Sequence, residues 1–511
     1  MSSSQAAVSP PSTVATLVLY LGILVVFTIF YVATSQRELS WGDYGTRQLF
    51  MLHNNYVGDE ALALVHPLYI IMGHAVIQAA PAGYEMWTVN AFSGLGMAIA
   101  LANLFLLLHR LTGRRWVGVA MAAILGVSHT VWWLSTIAEV YTWSLAGLSL
   151  ECLLLVALIR RPRWGTLLVL ALVNGWGWNI HNFALLTLPV HLTVMAYLMI
   201  RKRLPVWSVL PALGAYLVGA SLYLYLIFVN AGNMGWSAAI SGALVGEYGD
   251  DVMGVGSRDY LFINWGLMAL NGMSFLPILA VVGWWCFRRR LGGETALALA
   301  TITLIHVVFV ARYTIVDQFT FALPSLWMIA LAGGVGLATM VERSGRWRSI
   351  AVVGVLVSLV SGPAVYALLP HLVNRTHRDL PHRNDIRYWG TPWKHNEHSA
   401  DLFVQDVRRQ LQPVCDAGKQ PIVVVDATPY FPLAVARKLR QLDEALQLQW
   451  CGRPLPLMRK ASTVRQAAGD NPIYVLASQD LPPTLLQAVT LVKDNPDDVL
   501  YRLEWKTDGA E

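Results

Sequence analysis

Thr13-Val-Ala-Thr-Leu-Val-Leu-Tyr-Leu-Gly-Ile-Leu-Val-Val-Phe-Thr-Ile-Phe-Tyr-Val-Ala-Thr34 carries no charged side chain. At the rise of an α-helix, a run of about 20 residues crosses the hydrocarbon core of a bilayer. A secretory leader would be shorter, with an apolar core of about 7–15 residues behind a basic flank. Residues 1–12 contain neither Lys nor Arg, so the run reads as a retained transmembrane helix. A polar island, Trp41-Gly-Asp-Tyr-Gly45, follows directly. It puts an acidic side chain, Asp43, at the mouth of whatever bundle this helix joins.

The rest of the chain has the same character. Its 511 residues are 55% hydrophobic and 13% charged, with a mean hydropathy of +0.49. A soluble domain carries about 25% charged residues, so the composition belongs to the polytopic membrane class. The formal charge of +6 is spread over short arginine clusters between apolar runs, which is a membrane pattern and implies no nucleic-acid partner. Cys152 and Cys286 fall inside apolar spans, whereas Cys415 and Cys451 lie in the polar C-terminal region. The latter two can pair if that region is outside the cytosol. No Cys/His spacing of zinc-site type occurs.

About eleven spans are expected, near residues 14–34, 87–108, 116–135, 140–159, 164–180, 182–200, 206–229, 262–287, 295–311, 319–341 and 349–369. Asn174-Gly-Trp-Gly-Trp-Asn179, between the fifth and sixth, reads as a broken helix or a short turn. Orientation follows the positive-inside bias. Arg110/Arg114/Arg115, Arg160/Arg161/Arg163, Arg201/Lys202/Arg203, Arg288/Arg289/Arg290 and Arg343/Arg346/Arg348 mark every second connection. The alternate connections carry Glu38, Asp43, Asp59, Glu60, Glu139, Glu247, Asp250, Asp251 and Asp317. The basic side is therefore expected in the cytoplasm, with the N-terminus. The first loop, 35–86, and residues 370–511 are expected outside, in the periplasm of a bacterial inner membrane or in the equivalent lumen.

Residues 370–511 read as a soluble α/β domain. Ile422-Val-Val-Val-Asp426, Asn471-Pro-Ile-Tyr-Val-Leu-Ala477 and Val499 to Trp505 have strand character, and Leu433 to Leu442 has helical character. No glycine-rich phosphate loop follows any of them. The expected architecture is thus a polytopic α-helical membrane protein of about 11 transmembrane helices over 1–369, with a C-terminal soluble α/β domain over 370–511. The cytoplasmic connections are short, so no cytosolic domain is left to bind ATP or a nucleotide sugar.

Several outer residues have the chemistry for a site. Asp43 is either a general base or a solvated loop aspartate, with Gly42 and Gly45 letting the backbone turn around it and Trp41 and Tyr44 anchoring the loop at the lipid interface. His66-Pro-Leu-Tyr69 opens an apolar stretch, and proline at a first helical turn suits a helix start that aims His66 into the site or packs it at the interface. Glu139, in Trp132-Trp-Leu-Ser-Thr-Ile-Ala-Glu-Val-Tyr141, is an acid close to the membrane, expensive unless it faces water or a partner. Trp132, Trp133 and Tyr141 offer ring faces to a sugar, or form an aromatic belt. Arg312 and Asp317 share one outer link, either as phosphate and hydroxyl ligands or as a structural pair. The segment Arg383 to Glu397, with Arg387, Lys394 and His395, suits a fold back over the outer face or a polar linker. His74, His129, His181, His191 and His306 share no ligand spacing and read as packed polar residues.

Asp43, His66-Pro-Leu-Tyr69, Trp133-Leu-Ser-Thr-Ile-Ala-Glu-Val-Tyr141, Tyr313-Thr-Ile-Val-Asp317-Gln-Phe, Leu323-Pro-Ser325 and Pro392-Trp-Lys-His-Asn396 occur in that order. Together they resemble the GT-C superfamily of integral-membrane glycosyltransferases, closest to the uncharacterised-domain branch related to a vertebrate transmembrane protein O-mannosyltransferase. The chain differs in a longer gap between Asp43 and His66 and in lacking a Pro-Pro-Gly-Tyr-like run after the histidine. The resemblance implies inverting transfer from a polyprenyl-phosphate sugar to a hydroxyl of a glycan, lipid or protein acceptor. In that reading Asp43 is the base. His66, Tyr69, Trp133, Glu139, Tyr141, Arg312, Asp317, Lys394 and His395 bind substrate. No cofactor and no metal are demanded. A transporter or flippase for a lipid-linked glycan, or a non-catalytic assembly subunit, are the alternatives. A transporter would show paired broken helices in two related halves, and no such symmetry is visible.

Overall fold

The computed structural model describes residues 13–57, 61–246, 258–313, 315, 317–343, 345–372, 386–450 and 461–506. Asp59, Glu60, Glu247, Asp250, Asp251, Arg383 and Cys451 lie outside them, and with Cys451 the expected pairing to Cys415.

Most of the described chain is helical. In order, the helices up to the first strand are α1 (Thr13–Thr34), α2 (Gly42–His53), α3 (Leu62–Val65), α4 (Pro67–Gln78), α5 (Glu85–Thr112), α6 (Arg115–Gly126), α7 (His129–Leu134), α8 (Tyr141–Arg160), α9 (Trp164–Ile180), α10 (Phe183–Ile200), α11 (Val209–Gly219), α12 (Ser221–Met234), α13 (Trp236–Leu244), α14 (Arg258–Leu270), α15 (Leu276–Leu291), α16 (Gly293–Arg312), α17 (Leu323–Glu342), α18 (Arg346–Leu372), α19 (Ile386–Gly390) and α20 (Ser399–Asp416). Among the described residues, seven helices are long and apolar enough to cross a membrane, or eight when the bent pair Val206–Gly219 and Ser221–Met234 counts as one span.

The difference from eleven expected spans has local causes. The expected span 116–135 is divided into α6 and the short α7 by a break at Val127 and Ser128. The span expected over 262–287 is divided into α14 and α15. Asn174 to Asn179 stays inside continuous helix α9, and the break falls at His181, whose backbone is extended with φ −160°.

The bundle is organised around α17, 89% of whose apolar window is buried, and α5, at 78%. Helix α1 lies at the periphery with 11%. Small residues let α15 and α17 approach closely, the usual substitute for hydrophobic driving force between spans. A Cβ added at Gly283 would stand 1.7 Å from the Ala332 carbonyl oxygen, and one at Gly336 would stand 2.0 Å from that of Leu279.

The arginine clusters meet at one end. Arg160 Nη1 donates to the Arg110 carbonyl at 2.9 Å, and Arg203 Nη2 to that of Ile159 at 2.7 Å. Arg114 and Arg290 both pair with Glu342. At the other end the loops knit together. Gln36 N–H donates to the Thr136 carbonyl at 2.9 Å and Lys394 N–H to that of Thr34 at 2.8 Å.

The C-terminal part holds a five-stranded sheet, β1 (Ile422–Val425), β2 (Gln447–Trp450), β3 (Ile473–Val475), β4 (Val489–Val492) and β5 (Tyr501–Trp505), in the order β2-β1-β3-β5-β4. Strand β1 runs parallel to β2 and β3, while β5 is antiparallel to β3 and β4. Helices α21 (Ala427–Lys438), α22 (Ala461–Ala468) and α23 (Pro483–Ala488) complete it. Asp426 caps α21 by accepting from Thr428 N–H at 2.7 Å, a standard N-cap.

Candidate active site

The island around Asp43 is a helix start and not a glycine-flanked loop. Gly42 has φ +55°, a conformation glycine adopts without cost, and it turns the chain into α2. Asp43 then stands in the first turn, where a carboxylate suits the positive end of the helix dipole. Asn54, left-handed at φ 51°, closes the helix. Trp41 and Tyr44 are 4% and 6% exposed, packed on protein rather than set in lipid. Gly45 is required by packing, because a Cβ there would lie 2.5 Å from the Ser40 carbonyl oxygen and 2.9 Å from Phe431 Cβ.

One turn beyond Asp43 on the same helical face is Arg47, which the sequence reading passed over. Its Nη1 donates to the Leu64 carbonyl at 2.6 Å, while Nε is buried without a hydrogen-bond partner among the described residues. Leu64 belongs to α3, which ends at His66. That histidine is left-handed at φ 57°, caps α4 and precedes its first-turn Pro67. Its ring stacks on His181 at 4.8 Å between centroids. Burial holds the His66 imidazole well below its ordinary range, reinforced by Arg47 and His181. It is therefore a neutral ring, and Arg47 is the cation.

Glu139 comes in from the break between α7 and α8. It is 5% exposed. Ser93 brackets its backbone, accepting from the Glu139 N–H at 2.9 Å and donating to its carbonyl at 3.1 Å. Tyr69 Oη lies 3.2 Å from the same Ser93 Oγ. Glu139 Oε1 accepts from Val140 N–H at 2.8 Å. Burial pushes the Glu139 carboxyl up to about 8; Arg47 and the Val140 N–H pull it down, and Asp43 and Asp317 push it further up. Those couplings join side chains from three connections. Tyr141 packs its ring on His181 at 5.2 Å and on Phe321 at 5.0 Å, at the edge of the same group. Asp317 precedes the 3₁₀ turn Gln318–Ala322 that carries Phe321.

Trp133, Lys394, His395 and Arg312 come from other elements. Trp133 is fully buried, stacked on Trp389 at 5.5 Å with Tyr44 edge-on at 5.3 Å. Its ring is scaffold and offers no open face. Lys394, 1% exposed, sets its ammonium over the Tyr388 ring at 3.9 Å and near Trp133 at 5.5 Å, and donates to the Tyr388 carbonyl. This is a buried cation–π box behind α2. His395 sits with Arg37 and His398, which add to burial in keeping its imidazole low. Arg312 is exposed at the last turn of α16. Among the described residues no three His, Cys, Asp or Glu side chains are grouped as a metal ion would need.

No protein-family model matches the chain, and no curated protein matches it. Among solved structures, it is similar to ArnT from Cupriavidus metallidurans bound to undecaprenyl phosphate, at 13% identity over 96% of this chain and 98% of that one, with a TM-score of 0.57. The apo state of the same protein gives 14% identity, the same coverage and 0.54. The archaeal oligosaccharyltransferase AglB from Archaeoglobus fulgidus, in complex with an inhibitory peptide and a dolichol-phosphate, follows at 11% identity, 89% and 69% coverage and 0.48. The fold is GT-C-like. At such identities the likeness speaks for architecture and for an integral membrane protein.

Proposed function

We propose that this chain is an inverting glycosyltransferase that moves a sugar from a polyprenyl-phosphate donor to an acceptor hydroxyl at the outer membrane face. The observation that carries the reading is the gathering of Asp43, Arg47, His66, Glu139 and Asp317 at the end of the bundle opposite the arginine clusters. Residues that are far apart in sequence share one electrostatic neighbourhood, as perturbed catalytic groups do. The end-to-end likeness to a structure holding undecaprenyl phosphate supports a lipid-linked donor. The motif order from Asp43 to Asn396 supports the branch related to the vertebrate O-mannosyltransferase.

In this reaction the acceptor oxygen attacks the anomeric carbon on the face opposite the phosphate. The new carbon–oxygen bond forms as the bond to the phosphate oxygen breaks. Asp43 takes the acceptor proton, a contribution of about 10²–10⁴-fold in rate. The lipid phosphate leaves as an anion and keeps the bonding electrons, so no general acid is required. Arg47, and Arg312 at the rim, offset the charge that develops on it. His66, Tyr141 and Asp317 line the sugar, and Tyr69, buried on Phe92, steadies Glu139 through Ser93. Lys394 and Trp133 hold α2 from behind. The arginine-rich end faces the cytoplasm, and the Asp43 end with residues 370–511 faces the periplasm of an inner membrane.

The test is a panel of polyprenyl-phosphate sugars offered to the purified protein with simple hydroxyl acceptors, with the product anomer read by NMR. Turnover of one donor with inverted configuration is expected. Retention of configuration would remove Asp43 from the role of base. Movement of intact donor across vesicles without release of polyprenyl phosphate would replace the transferase with a transporter.

A further inference from the structure

A groove of about 910 Å³ opens at the arginine-bearing end of the bundle, between α8, α10, α15 and α16. Its walls are apolar, with Val190 and Leu198 from α10, Trp284 and Phe287 from α15, and Ala298 and Ile305 from α16. Polar groups collect at one end of it. Arg203 pairs with Glu294 at 2.8 Å, and Tyr197 Oη donates to the same carboxylate at 2.7 Å. That acid is thereby occupied. Arg288 also lines the groove, is exposed, and makes no ion pair among the described residues. Arg201, Lys202 and Arg289 stand exposed at the adjoining helix ends. The mouth therefore has an excess of positive charge over an apolar slot between membrane spans.

Those two features together are the shape of one amphiphile, an acyl chain below and a phosphate above. Basic pockets between spans recognise anionic lipid headgroups in this way. The donor of the proposed reaction is a poor fit. Its phosphate belongs beside Asp43, and from Tyr141 to Ile159 helix α8 rises roughly 27 Å, close to the full hydrocarbon thickness of about 30 Å. The groove thus opens on the opposite leaflet. We propose that it is a binding site for an anionic glycerophospholipid, whose phosphate is held by Arg288 and whose acyl chain lies against Val190, Phe287 and Ala298.

The experiment uses the full-length protein in detergent, with phosphatidylglycerol or phosphatidylcholine of identical chains added. Retained lipid is counted by native mass spectrometry. Two variants accompany the wild type, Arg288→Gln at the mouth and Thr193→Trp, which fills the slot from an exposed lining position. The expected result is one retained phosphatidylglycerol in preference to phosphatidylcholine. Arg288→Gln should weaken it about fivefold, the worth of one basic residue near a charged headgroup, and Thr193→Trp should remove it. Equal retention of both lipids, a preference unchanged in both variants, or displacement by polyprenyl phosphate alone would each overturn the assignment.

Discussion

Glu139 is pushed up to about 8 from 4.5, chiefly by burial and then against the pull of Arg47 by the carboxylates of Asp43 and Asp317. At neutral pH it holds its proton and is a hydrogen-bond donor, whereas a base must be ionised. Glu139→Gln, which keeps a neutral donor, should retain activity within a few-fold at pH 7, while Asp43→Asn loses about 10²–10⁴-fold. Wild-type rate should fall as pH rises through about 8, and Glu139→Gln should lack that limb. A Glu139→Gln variant as inactive as Asp43→Asn at pH 7 would put the working charge on Glu139. Stability gives an independent check. The folded protein binds the Glu139 proton more tightly than the unfolded chain, so this group's contribution is complete below about 4.5 and is lost as pH rises to about 8. Glu139→Gln should therefore flatten the decline of Tm over that window. Arg47 is the other residue on which the site turns. Arg47→Gln should cost about 10²–10³-fold in turnover, the typical effect of removing a donor aimed at developing charge, and an effect under threefold would remove it from the site.

At the scale of elements, the helix that carries Asp43 is gripped by the C-terminal part. Trp41 packs its ring on Phe403 at 5.3 Å and donates from Nε1 to Ser399 Oγ at 2.9 Å. Phe431 of α21 seats against Gly45. Glu38 accepts from His398 at 3.0 Å and faces Asp401, whose carboxyl is raised by burial and by that neighbour. Gly45→Val should therefore shift α2 and lower the transfer rate at least tenfold with the donor KM unchanged. Gly22→Val, in open space on α1, should be silent by the same steady-state assay. Equal rates for the two variants would detach α2 from the chemistry. This element is also where sequence reading ran short. Residues 42–48 mix two glycines with polar groups ahead of the short apolar run Leu49 to Leu52, so the island read as a loop and Arg47, one turn from Asp43, went unnoticed. His181 reads from the sequence as a packed polar residue, which it is, but its stacking on His66 in another loop leaves no mark on either stretch. The β1 run Ile422 to Val425 was legible as an apolar block. Strand β2, Gln447–Trp450, was not, because two of its four residues are glutamine.

For the whole molecule, the alternation of arginine clusters with acidic connections was the most readable signal, and the structure gathers the clusters at one end. The number of spans was not readable in the same way. Hydropathy registers an apolar run whether one helix crosses or two short helices meet at a bend, as at Val206–Gly219 and Ser221–Met234, which differ in direction by 66°. Sidedness is open to direct labelling. In a cysteine-free background, Lys419→Cys should react with an impermeant maleimide on intact cells, and Arg289→Cys only after permeabilisation. The reverse pattern would turn the Asp43 end toward the cytoplasm and exclude chemistry on the outer face. The central claim is that the Asp43 group is a transfer site, and its most direct measurement is single-turnover release of polyprenyl phosphate from the active donor, for wild type and Asp43→Asn side by side, with donor binding measured for both. The account predicts equal binding and release slowed at least about 10²-fold in the variant; equal release from both proteins would contradict it.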